Sequence, residues 1–273
     1  MRKNGLTYAQ FQQPPNAPYH YRPYVSARRR GQVAVVLLIV GAVISLLTIP
    51  SHILDMYVEP FNTNQDVADN PGGFVALMLT GVLGLATVVV YIATAVAFLM
   101  WFYRASNNVA AFGQHTQHSS GWAVGSFFVP IMNLFIPYQA AKDIWQKSEP
   151  DAPSFSFGVT VPGFFAAWWG FWIVSNILSN IYIRMLADAP KDASAIVGIF
   201  SEIFSIAAAG FAIKVVRDID RRQEERSRNL PQYAGPVPPP PPVFQAAPTA
   251  PISSPTGAAT TPLDQSNSAT TGA

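Results

Sequence analysis

Cysteine is absent from this 273-residue chain, and charge is scarce: Asp, Glu, Lys and Arg make up 12% of the residues. The first absence excludes a disulfide-stapled fold, a thiol nucleophile and any cysteine-ligated metal centre. The second is about half the ~25% charge of an ordinary soluble domain, too little to coat a globular surface. Net charge is also small, +2, which gives nucleic acid no electrostatic footprint to bind. What the chain has instead is apolar length, since half of its residues are hydrophobic.

Four runs meet the length needed to cross a hydrocarbon core of ~30 Å, residues 33–49, 74–102, 161–183 and 195–216. Arg28, Arg29 and Arg30 stand before the first, which reads as an uncleaved span because no small-x-small cleavage site follows it. Residues 50–73 carry acidic residues, no Lys or Arg, and the turn signal Asn70-Pro71-Gly72-Gly73, so they read as a loop outside the bilayer. The second run closes on Trp101-Phe102-Tyr103-Arg104, an aromatic belt followed by a cation.

A fifth apolar stretch, 121–140, contains Gly125, Pro130, Asn133 and Pro137, and the distribution of cations decides its topology. Were it a crossing, nine Lys and Arg would face one side and eight the other; as an element that does not cross, it leaves 15 on one side and two on the other. Cytoplasmic loops concentrate Lys and Arg, so the second arrangement is expected. The fold class predicted is all-α: a four-helix transmembrane domain over 33–228, with a re-entrant or interfacial helix between spans 2 and 3. A disordered basic arm (1–32, its polar part ending at residue 26) and a Pro-rich tail (229–273) flank it, both cytoplasmic. Beyond residue 216 the last helix continues into water, with Asp218 to Arg222 and Glu224 to Arg228 as favourable i,i+4 pairs. The tail holds 11 of the 24 prolines and a single charge, a composition for disorder with a stiff segment at 238–242.

Two stretches carry a recognisable pattern: Trp101-Phe102-Tyr103-Arg104-Ala105-Ser106-Asn107-Asn108, and Gly121-Trp122 through Pro130-Ile131-Met132-Asn133-Leu134 and Pro137-Tyr138-Gln139 to Trp145. They resemble the bacterial membrane-protein family catalogued as domain of unknown function 4328, over roughly residues 33–220. Ser106 stands where a second basic residue is common in that family. The resemblance implies a multi-pass domain of the bacterial inner membrane and supplies no activity.

Few residues are placed to carry chemistry. Helical spacing would set Ser126, Pro130, Asn133 and Pro137 on one face of the 121–140 element. A ligand or ion site at a broken helix is the sharp reading there, and a kinked wedge satisfied by its neighbours is the favoured one. Glu202 is the sole acidic residue inside a span; by helix rise it lies about 10 Å from the outer boundary, the same depth as Asn176. With Asn180 and Arg184 these residues form a candidate intramembrane polar site, for which a structural hydrogen bond from Glu202 to Asn176 or a salt bridge to Arg184 is favoured over a proton path. Trp168 and Trp172, four residues apart, suit either a lipid- or quinone-like pocket or plain packing, and packing is favoured. His115 and His118 could ligate zinc or nickel, but no carboxylate or third histidine lies within their loop, so a solvated loop is the favoured reading. No catalytic residue, metal or cofactor is assigned. The expected function is a non-enzymatic membrane module, scaffold or sensor, with a small transporter or channel component as the alternative. The bilayer, cytoplasmic proteins docking on the Pro-rich tail and a second copy of the chain are the partners this reading admits.

Overall fold

The computed structural model describes residues 23–64, 66–150 and 160–229, and all regular structure among them is helical. Four helices are long and apolar enough to cross a membrane: α1 (Arg28–Tyr57), α2 (Pro71–Ala111), α5 (Phe164–Asp188) and α6 (Lys191–Arg228). Two short ones, α3 (Ser120–Gly125) and α4 (Ile136–Lys147), lie between α2 and α5. The Pro-rich tail and most of the N-terminal arm lie outside the described residues.

Every long helix except α5 runs well past its apolar run. α1 continues through Pro50 to Tyr57, where the acidic loop was expected to begin. The proline costs one intrahelical donor, and Thr48 and Ser51 hydroxyls bond back to the carbonyls of Ile44 and Thr48. Asn70 caps α2 rather than making a turn: its side chain accepts the Gly73 N–H at 2.9 Å, and Pro71 fills the first helical position. The 41 residues of α2 span about 60 Å, twice the core thickness, so its last turns, which carry Tyr103 to Asn108, project beyond the apolar region. The helix stops at Gly113, the residue with φ of 70°.

α6 packs along α5 and α1, and α1 packs in turn along α2. Two glycines set how closely α1 meets α6. A Cβ on Gly31 would lie 2.1 Å from Asp220 Oδ2, and a Cβ on Gly198 would lie 2.9 Å from the His52 ring. Each helix thus seats a polar side chain of the other in a glycine notch, one at each end.

The 121–140 stretch is not a continuous helix. α3 gives way to a 3-10 turn at Ser126–Phe128, an extended Val129, a second 3-10 turn at Met132–Leu134 and then α4. Val129 is extended because the ring of Pro130 disfavours helical backbone before it, and Pro137 sits in the first turn of α4, where its missing donor is free of cost. Ser126, Pro130, Asn133 and Pro137 therefore share no face. Ser126 and Pro137 are buried, whereas Pro130 stands on a bare tip with Phe128 (73% exposed) and Ile131 (75%). Behind the tip the wedge is fastened by Phe127, against Phe98 and Trp169, and by the Trp169 indole, which donates to Leu134 O at 2.8 Å.

Candidate functional site

The buried polar groups concentrate where α6 leaves the apolar region. Its buried stripe, Ala208, Ala212, Val215 and Val216, continues as Ile219, Gln223 and Arg226 at helical spacing. The 217–228 segment was expected to run free in water; instead three elements hold it.

From α2, Trp101 is fully buried and donates its indole N–H to Asp220 Oδ1 at 2.8 Å. Two turns on, the amide of Asn108 donates to Gln223 Oε1 at 3.0 Å. Gln223, also fully buried, uses its own amide on Ala105 O (2.8 Å) and Ser148 Oγ (3.2 Å), so neither end of the side chain is left without a partner. From α4, Trp145 donates to Asp218 Oδ2 at 2.7 Å, and the Arg222 guanidinium lies 3.5 Å from the centre of its ring. Arg222 also pairs with Glu149 at 2.5 Å. Arg226 reaches the carbonyls of Lys147 (2.9 Å) and Glu149 (2.8 Å), capping the open end of α4.

The third element is the chain just before α1. Tyr24 stacks on Phe112 and donates to Glu224 at 3.1 Å, Ser26 also donates to Glu224, and Val25 N donates to Asn108 Oδ1 at 3.4 Å. Residues 23–27 of the expected disordered arm are thus pinned. Burial, then the Glu224 carboxylate, raises the Tyr24 pKa and keeps the phenol a donor. Burial likewise raises the Asp220 carboxyl to about 6, against the opposing pull of the Trp101 N–H.

Of the pattern residues, Trp101, Asn108 and Trp145 converge on α6. Pro137 is buried in α4, and Tyr138 lies under Lys142 at 5.0 Å. Arg104 and Asn133 are partly buried, and the Asn133 side-chain oxygen meets no donor. Tyr103, Gly121 and Trp122 are exposed. Ser106, where a second basic residue is common in the family, is buried here and bonds Ser120 of α3 at 3.0 Å. The His115 and His118 loop is fastened to α4, because Gln117 N donates to the buried Asp143.

The intramembrane set does not assemble as expected. Asn176 and Asn180 return their amides to their own helix, at Trp172 O (2.7 Å) and Asn176 O (2.8 Å), and Arg184 is exposed. Glu202 lies beside Ser45 of α1 instead. α5 meets α6 at that level through Ser201, which donates to Ser175 O at 3.2 Å. Trp168 and Trp169 are buried against Phe98 and Phe127, a filled aromatic contact. Asp220, Gln223, Gly31 and His52 are the residues that sequence reasoning passed over. The continuing three-and-four spacing beyond Val216 was the signal for Gln223.

Four long apolar helices, a broken wedge and a polar grip on the last helix define a multi-pass membrane domain with no recognisable catalytic constellation among the described residues. The family model described as "Domain of unknown function (DUF4328)" matches residues 74–221, just over half of the chain, and the chain belongs to that family. The match begins at α2, so α1, which the resemblance had included, lies outside it. No curated protein and no solved structure matches the chain.

Proposed function

We propose that the protein is a non-enzymatic module of the bacterial inner membrane that holds the end of α6 in a fixed pose and presents the segment after it to cytoplasmic partners. The observation that carries this is where the pattern residues spend their polar atoms. Trp101, Asn108 and Trp145 bond to Asp220, Gln223 and Asp218 of α6, and none of the three is left to meet a substrate. In this reading the grip lies on the cytoplasmic side, with 15 of the 17 cations, and both termini are cytoplasmic.

Transport is the alternative, with Glu202 as its polar group. It needs a polar path along the bundle, yet the buried face of α6 between Glu202 and Asp220 is Ala208, Ala212, Val215, Val216 and Ile219. The test is crosslinking of the full chain in native membranes, followed by identification of what copurifies, beside a chain ending at Asn229. A partner retained by the full chain and lost by the shortened one is expected. No copurifying protein, together with Glu202-dependent flux in reconstituted vesicles, would reverse the ranking. Orientation is read separately by single cysteines on exposed positions. Asp66 and Asp188 should label with an impermeant reagent in intact cells, and Gln117 and Asn229 only after permeabilisation.

A further inference from the structure

A groove of about 740 Å³ runs between α1 and α6 on the side of the grip away from α4. Its inner wall is apolar, made by Val35, Val36 and Ile39 of α1 with Val216 of α6. Its mouth is basic: Arg28 lines it from α1, and Arg217, Arg221 and Arg228 line it from α6. From Arg28 to Ile39 is eleven residues of helix, about 16 Å, or half the thickness of a hydrocarbon core. The change from cation to apolar wall falls where the apolar runs of α1 and α6 end, at the level of lipid headgroups.

Three carboxylates share the groove, and two are already engaged. Asp220 takes the Trp101 indole N–H, and Glu224 takes the hydroxyls of Tyr24 and Ser26. Glu225 is the third. Arg221 is paired with Asp218 at 2.5 Å, while Arg28 lies near the Asp220 carboxylate without closing an ion pair to it, and Arg217 forms none among the described residues. Two guanidinium groups outside any ion pair, at the mouth of an apolar slot one leaflet deep, match an anion carrying a hydrocarbon chain.

We infer that this groove binds one anionic phospholipid of the leaflet at the basic end, with its phosphate between Arg28 and Arg217 and an acyl chain along Val35, Val36 and Ile39. The inference extends the membrane placement and is independent of whether a protein partner exists. Bound there, the lipid braces the outer side of the same α6 segment that Trp101 and Trp145 hold from within.

The test is native mass spectrometry of the full chain released from vesicles of phosphatidylglycerol and phosphatidylcholine in equal parts. Each arginine facing an anionic headgroup is worth about fivefold, so the wild type should retain phosphatidylglycerol over phosphatidylcholine by up to roughly 30-fold. The pair Arg28→Gln with Arg217→Gln should bring the ratio near parity, and Arg29→Gln with Arg184→Gln should leave it unchanged. Val36→Trp, which fills the slot without touching a charge, should reduce retention of phosphatidylglycerol. Equal retention of the two lipids by the wild type would overturn the inference, and needs no variant to be read. So would full displacement by inorganic phosphate, which marks a site for a free anion, or lipid retention that appears only after residues 2–22 are deleted, which marks a site filled by the chain itself.

Discussion

Gly31 of α1 faces Asp220 of α6 so closely that a Cβ at position 31 would lie 2.1 Å from Asp220 Oδ2 and 3.1 Å from the Trp101 ring. The notch lets the carboxyl reach the Trp101 indole, so one missing side chain permits the first bond of the grip. Gly31→Ala should therefore lower stability by about 1–3 kcal/mol, read as a fall in thermal midpoint in detergent. Gly84→Ala on α2, where a Cβ meets nothing within 4 Å, should be neutral or slightly stabilising.

The four long apolar helices were legible because apolar length is a property of single segments. So was the break at 121–140, since a proline acts on the backbone beside it. The reach of α2 to Ala111 was not, because residues 103–111 mix polar and apolar types and are held helical by what they touch. Nor were the glycine notches legible. Gly31 and Asp220 lie 189 positions apart in the chain, and only the packed helices show that the first must lack a side chain. Glu202 had Asn176 at matching depth, but depth does not report rotation, and the carboxylate faces Ser45 on the other neighbour.

Asp220 also sets a pH dependence. Burial raises its carboxyl from the ordinary 3.8 to about 6, so between these values the folded protein binds more protons than the unfolded chain. Stability from this group is therefore full below about pH 4 and is lost as pH rises to about 6, by up to about 3 kcal/mol. Asp220→Asn keeps an acceptor for Trp101 and removes the titration. The wild-type midpoint should fall relative to that of the variant across this interval, and parallel curves would contradict the assignment.

Asn108 and Gln223 form a buried pair whose amides have no water to turn to. Replacing either by Ala strips one buried amide atom of the other, Gln223 Oε1 or Asn108 Nδ2, of its partner and should cost about 1–3 kcal/mol. Because both changes break the same bond, the double variant should cost less than the sum, with a coupling of at least about 1 kcal/mol from denaturant or thermal unfolding. Additive losses would mean that the two side chains act separately.

Trp101, Asn108 and Trp145 hold the end of α6, and limited trypsin digestion of membranes in which that end is accessible tests this most directly. The segment carries five arginines, Arg217, Arg221, Arg222, Arg226 and Arg228, and cleavage there must wait for the helix to open locally. Trp145→Phe keeps an aromatic ring beneath Arg222 but deletes the N–H that bonds Asp218, a loss of about 1 kcal/mol or more. Cleavage within 217–228 should accelerate roughly fivefold to tenfold, with sites elsewhere in the chain unaffected. A Trp145→Phe chain cut in this segment at the wild-type rate would contradict the account.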